Sequence, residues 1–214
     1  RVQDMVIQNK ERITEALNAD FGTRSPNQSL ISDVYGVLPA FSHAKKHLKS
    51  WMKDEKRKSN FPFGLMGAKS YIHREPLGVV GMISPWNFPM YLSLAPLAGI
   101  FSAGNLVMHK PSEFTPITSE LLKEICDSAF DETEFATFLG GPDVGAAFTQ
   151  LKFDHLLFTG SGNIGKHVMR AASENLVPLT LELGGKSPVI VSDSSNIDIT
   201  ARRVMFNKTL NAGQ

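Results

Sequence analysis

The sequence predicts an α/β fold whose mainly parallel sheet is doubly wound and preceded by N-terminal helices. Two observations predict it. Short apolar, β-prone runs alternate with helical patterns from about residue 76 to the end of the chain, the pattern of strands covered by helices on both faces. The first fifty residues carry helical spacing instead. With 214 residues and 42% hydrophobic content, the chain is large enough to bury a packed core.

In chain order, Val2, Met5, Val6, Ile13, Ala16 and Leu17 share one helical face over residues 2–17, and Asp20-Phe21-Gly22 supplies a stop. After the turn-rich "GTRSPNQS", a second helical pattern runs from about Leu30 to Trp51 and ends in "KKHLKSWMKDEKRK", read as a solvated helix end because acids interrupt the bases. Residues 60–78, rich in Pro and Gly, predict a hairpin or extended connection. The boundary near residue 76 divides a helical front, 1–75, packed on the rest, from an α/β body, 76–214. Beyond it, strands are expected at Val79 to Ile83, "LVMHK", "FATFL", "HLLFT", "PLTLEL" and "PVIVS". Helices are expected at "YLSLAPLAGIFSAG", Pro116 to Phe130, Val144 to Leu151, Ile164 to Asn175 and Ile197 to Asn211. Right-handed crossovers would put ligands at the carboxyl ends of the strands.

The charge balance gives no electrostatic reason to expect a nucleic-acid or membrane partner: Lys plus Arg is 22, Asp plus Glu 21, and the net is +1. No apolar stretch approaches the roughly 20 residues that cross a bilayer, and no signal-peptide order is visible, so a cytoplasmic location is expected. A single cysteine, Cys126, excludes an internal disulfide, and six scattered histidines lack metal-site spacing, so no metal is expected.

Three segments carry candidate chemistry. "FTGSGNIGK" places Gly160, Gly162 and Gly165 in dinucleotide-fingerprint spacing between a strand and a helix, with Glu182 about twenty residues on at the next strand end, where the literal fingerprint would give it the ribose. In "SPWNFP", prolines bracket Trp86-Asn87-Phe88 and aim Asn87, a neutral amide suited to a developing oxyanion, or else simply form a turn. In "HKPSE", Lys110 and Glu113 stand where a cation and a carboxylate could grip one sugar, or form an ordinary ion pair.

Taken together, "PWNFP", "KPSE", "FTGSGNIG", "LELGGKSP" and "NAGQ" resemble, in order and approximate spacing, the aldehyde dehydrogenase superfamily, and the finer pattern resembles its class 3 and coniferyl aldehyde dehydrogenase groups. The resemblance implies a Rossmann-like fold of the aldehyde dehydrogenase type and oxidation of an aldehyde to a carboxylic acid through a cysteine thioester. It implies Asn87 as oxyanion donor and Glu182 as general base, a role that a buried strand end followed by Gly184-Gly185 would suit. Losing one oxyanion donor typically costs about 3 kcal/mol. Lys110 and Glu113 would bind the adenosine ribose, Pro85 and Trp86 line the groove, and Ser161 lie near the pyrophosphate. Ser84, Ser112, Gly141, Thr159, Gly160, Leu183 and Gly184 complete the implied cofactor set, while Gly162 and Gly165 would serve close packing and loop flexibility. A ribose-binding acid repels a 2′-phosphate, so NAD is favoured and NADP left open. Family members are often homo-dimers or tetramers.

The family's nucleophile follows "GQ" by two residues, and Cys126 in "LLKEICDSAF" sits on an amphipathic pattern that reads as a buried structural cysteine. Both ends look cut, so the expectation is a cofactor-binding fragment of a larger enzyme, inactive alone, with the catalytic domain absent from this chain.

Overall fold

The computed structural model describes residues 1–214. The front is helical, but more broken than the periodicity predicts. Helices α1 (Val2–Gln8) and α2 (Lys10–Phe21) part at Asn9, whose side-chain amide donates to the Met5 carbonyl at 2.9 Å and competes with the backbone ladder. The α2 helix stops at Gly22, φ 73°, whose N–H closes on the Asn18 carbonyl at 2.7 Å, as a left-handed C-terminal glycine does. The second expected helix is a series of short pieces. These are α3 (Pro26–Ser29), a π turn (Leu30–Val34), a 3₁₀ turn (Tyr35–Val37) and then α4 (Leu38–Trp51). The π turn is where the Asp33 carboxylate turns inward to a buried guanidinium.

The basic run does not simply extend that helix. It leaves α4 at Trp51, and Glu55–Arg57 becomes strand β1, antiparallel to β2 (Ser70–Ile72). Charge pairing suits this exposed hairpin, since Glu55 takes both Arg57 (2.5 Å) and Arg74 (2.7 Å).

The main sheet has five parallel strands in the order β5-β4-β3-β6-β7: β3 (Val79–Ile83), β4 (Leu106–Lys110), β5 (Phe135–Thr137), β6 (His155–Gly160) and β7 (Leu179–Leu183). The chain starts in the middle at β3, winds outward to β5, then returns to β6 on the other side, so the winding reverses between β3 and β6. Such a switch point leaves a crevice at the carboxyl ends of the strands.

Side-chain alternation divides the core between the two faces. On one face Met82, Val107 and Phe135 pack with α5 (Pro89–Leu94), α6 (Leu97–Ser102), α7 (Pro116–Ala129) and the N-terminal helices in a cluster of 19 buried residues. Ala95 and Pro96 split the expected 91–104 helix into α5 and α6, because proline lacks the N–H that would continue the ladder. On the other face Leu156 and Phe158 pack with α8 (Pro142–Thr149) and α9 (Gly162–Ser173). Gly81 faces this second layer. A Cβ there would sit 2.6 Å from the Phe153 ring, so the strand needs glycine to let that ring lie against it.

One expected strand is absent. "PVIVS" has strand-like composition, but no neighbour pairs with it, and Ile190 is 93% exposed; β propensity needs a partner strand to be realised. Helix α10 (Ile197–Thr209) forms as expected, yet buries none of its residues.

Candidate functional site

The register of the sheet decides which motif residues meet. Ile83 is level with Lys110 of β4 and Phe158 of β6, and the Ser84 N–H donates to the Lys110 carbonyl at 3.2 Å. Thr159 is level with Glu182, and Gly160 with Leu183. Ser84 to Asn87, Lys110 to Glu113, Thr159 to Ser161 and Glu182 to Gly184 therefore all stand at the carboxyl ends of β3, β4, β6 and β7. The β7 residues are two strands from β3, roughly 10 Å at ordinary strand spacing. No hydrogen bond joins the Asn87 side chain to the others.

Lys110 is only 3% exposed and its ammonium bonds the half-buried Glu113 carboxylate at 2.5 Å. Burial alone would raise the Glu113 carboxyl, but the hydrogen bond and charge of Lys110 outweigh it and hold the group below the usual carboxylate range. The lysine stem lies against α8, where a Cβ on Gly145 would be 3.9 Å from its Cε. Gly141 is the N-cap of α8. Pro111, Ser112, Glu113, Leu139 and Gly140 line a cleft of about 190 Å³ in this corner. The Ser112 hydroxyl, however, is engaged within its own loop, accepting the Phe114 N–H at 3.2 Å. A larger cavity, about 400 Å³ among Arg1, Phe101, Phe130 and Glu134, adjoins the start of β4 and contains none of the motif residues.

At the start of α9, the Ser161 hydroxyl caps the helix by accepting the Ile164 N–H at 3.3 Å. The first N–H groups of a helix have no partner within it and, with the dipole, favour an anion. Gly165 fits close packing, since a Cβ there would meet Leu183 at 3.0 Å. Gly162 does not: a Cβ there would meet nothing within 4 Å, so it leaves open space instead. Glu182 departs from expectation as well. It lies on β7 but is exposed, as are Leu183 and Gly184, because β7 is the sheet edge and its face opposite α9, to which Glu182 alternates, is left open.

Two polar groupings escape the motif-based reading. The first stands behind Ser84, whose hydroxyl is 2.6 Å from that of Ser93 and 2.8 Å from Nε2 of the fully buried His109. Burial, with the neighbouring Lys110 charge, pushes the His109 imidazole down to about 3, so it is neutral at ordinary pH. The second is the ion pair of Arg24 and Asp33, 8% and 0% exposed and 2.7 Å apart. The Arg24 guanidinium also donates to the Asn87 carbonyl at 2.8 Å. Asp33 accepts the N–H groups of Met90 (3.1 Å) and Tyr91 (3.2 Å) at the start of α5. Desolvation pushes the Asp33 carboxyl upward, opposed by Arg24, the Ser32 hydroxyl and both N–H groups. Only an arginine within a turn-rich stretch and an aspartate shortly after it signalled this pair in the sequence. Cys126 is fully buried in α7 and its thiol is pushed up to about 12, chiefly by burial, which makes it inert.

A doubly wound parallel sheet with an amide, a buried lysine–glutamate pair, a capped helix start and an acid at its strand ends defines the Rossmann-like class of α/β proteins. Over residues 1–214 the chain matches the aldehyde dehydrogenase family model, and it belongs to the aldehyde dehydrogenase family. It is 56% identical to a probable coniferyl aldehyde dehydrogenase of Caulobacter vibrioides, over 100% of the chain and 44% of that protein. To aldehyde dehydrogenase family 3 member B1 of Bos taurus it is 41% identical, over 97% of the chain and 44% of that protein. Among solved structures, a substrate-bound Staphylococcus aureus AldH superposes with a TM-score of 0.93 at 38% identity, over 99% of this chain and 46% of that one. A Mycobacterium tuberculosis aldehyde dehydrogenase complexed with NAD+ gives 0.86 at 31%, over 99% and 43%. The chain spans less than half the length of these relatives.

Proposed function

We propose that the protein carrying this chain oxidises an aldehyde to a carboxylic acid with NAD, through a thioester on a cysteine. In this reading residues 76–214 form the dinucleotide-binding domain and residues 1–75 pack on it. The observation that carries the reading is the convergence of four family motifs on the carboxyl ends of β3, β4, β6 and β7, with Lys110 and Glu113 already locked together at one end. The NAD+ complex of the Mycobacterium tuberculosis relative supports the choice of cofactor.

The residues present fit a dinucleotide. Lys110 and Glu113 offer a donor and an acceptor to a ribose, the open space at Gly162 and the free amides of α9 suit a pyrophosphate, and Pro85 and Trp86 flank the groove between them. Gly141, Thr159, Gly160, Ser161, Leu183 and Gly184 complete the surface, with the buried Ser84 and Ser112 behind it. The Glu113 carboxylate would repel a 2′-phosphate, which favours NAD over NADP. When bound, NAD supplies the hydride acceptor.

Asn87 donates its amide hydrogens to the oxyanion that forms when a thiolate adds to the aldehyde carbonyl. Glu182 takes a proton from the water that hydrolyses the thioester. The thiol comes from outside residues 1–214, because Cys126 is inert in its helix. Substrate identity is left at aldehyde. The relatives named for coniferyl aldehyde make an aromatic aldehyde the first to try. A cytoplasmic homo-dimer or tetramer is part of the proposal; separately, no helix is long and apolar enough to cross a membrane.

Titration of the intact protein with NAD tests the assignment. Replacing Glu113 by Gln should weaken binding roughly 10-fold or more, the worth of a hydrogen bond to a charged group. Replacing Glu182 by Gln should leave NAD affinity within about 3-fold and stop turnover after acylation. The opposite pattern, with Glu182 alone governing NAD affinity, would replace this reading with a conventional Rossmann oxidoreductase in which that acid holds the ribose.

A further inference from the structure

The Asn87 corner has no regular structure of its own, yet an oxyanion donor must be held to a fraction of an ångström. The structure supplies the holding groups from the helical front. Arg24 lies between the rings of Phe21 (4.8 Å) and Phe88 (5.0 Å), and Phe21 in turn contacts Trp86, ring centroids 6.3 Å apart. Its guanidinium takes the Asn87 carbonyl on one nitrogen and Ser32 (3.0 Å) and Asp33 (2.7 Å) on the other. The second Asp33 oxygen takes the two N–H groups of α5 that follow Phe88 and Pro89. The corner is thus gripped on both sides of Phe88 by one buried ion pair, from residues without any motif.

Resting on the assignment of Asn87 as oxyanion donor, we infer that Arg24 and Asp33 are positioning residues for that donor. The pair is buried, and each member has its charge satisfied chiefly by the other and by corner backbone. By ending on the Asn87 carbonyl, the pair ties down the backbone from which the donor side chain projects.

The test compares Arg24→Met, Asp33→Asn, Asn87→Ala and the double variant Arg24→Met/Asn87→Ala in the intact protein, with Arg12→Met, at an exposed pair with Glu124, as control. Arg24→Met is expected to lower kcat roughly 10- to 100-fold, as misplacement by about an ångström does, with KM for NAD changed less than about 3-fold. On the Asn87→Ala background the same change should cost less than about 3-fold, because no donor is left to aim. Equal losses on both backgrounds would overturn the inference and leave the pair a structural one. A second measurement needs no turnover. With Trp51, and every tryptophan outside residues 1–214, replaced by Phe, Trp86 is left as the reporter, and its quenching by acrylamide should rise at least about 2-fold in Asp33→Asn or Arg24→Met proteins whose circular dichroism is native. Unchanged quenching would refute the grip even if the protein proved inactive toward aldehydes, whereas inactive wild type with increased quenching would count against the proposed function alone.

Discussion

His109 should make the fold sensitive to mild acid. In the folded chain its imidazole titrates at about 3 instead of 6.5, because it is fully buried and Lys110 is its neighbour. The unfolded chain therefore binds a proton between these values that the folded chain refuses. Stability from this group is complete above pH 6.5 and is lost as the pH falls toward 3. A fall from 6.5 to about 3 limits the effect to about 5 kcal/mol, and the part lost between pH 7 and pH 5 is about 2 kcal/mol. The perturbation is His109→Gln, which removes the titration while keeping a polar group within reach of the Ser84 hydroxyl. Urea denaturation at pH 7, 6 and 5, followed through tryptophan emission, should show wild-type stability falling toward that of the variant by about 2 kcal/mol across the range. Parallel curves, agreeing within about 0.5 kcal/mol after one offset, would mean that His109 is not held neutral by burial and would refute the reasoning.

Other substitutions read different parts of the structure. Gly81→Ala forces a Cβ to within 2.6 Å of the Phe153 ring and should cost about 1–3 kcal/mol by overpacking, seen as a lower denaturation midpoint. Asp20→Ala frees the N–H groups of Ile117 (3.1 Å) and Thr118 (2.7 Å) at the start of α7, and should lose about 1 kcal/mol in the same assay. Asn87→Ala should lower kcat of the intact protein about 100- to 1,000-fold in steady-state oxidation of an aldehyde. Cys126→Ser should leave that turnover unchanged, and the native thiol should react slowly with a disulfide reagent until the protein is unfolded.

The central strands were legible to the residue. Val79–Ile83 and Leu106–Lys110 are apolar runs closed by Pro or Gly, and that composition survives burial on both faces. Strand β1 was not legible, since Glu55-Lys56-Arg57 has neither apolar residues nor β-branching and is held by pairing with Ser70–Ile72. "PVIVS" erred the other way, carrying the propensity without a neighbour to pair with. Motif positions at the strand ends could be placed because register follows from the strands. The exposure of Glu182 could not, because it depends on what covers the sheet edge. Arg24 and Asp33 were hidden for a related reason: a buried ion pair is defined by where two polar residues meet in space, and local pattern says nothing of that.

The division of the core has a consequence for how the chain is made. Every member of the larger buried cluster lies between Val2 and Phe135, while the smaller cluster draws on Phe148 to Val177. A ribosome therefore delivers the complete larger cluster before β6 exists. The central strand β3 must then wait, one flank paired and the other bare, for a neighbour synthesised later. During that interval its unpaired flank is the surface on which nascent chains of this protein are most open to mispairing, and so the place where a chaperone has most to protect.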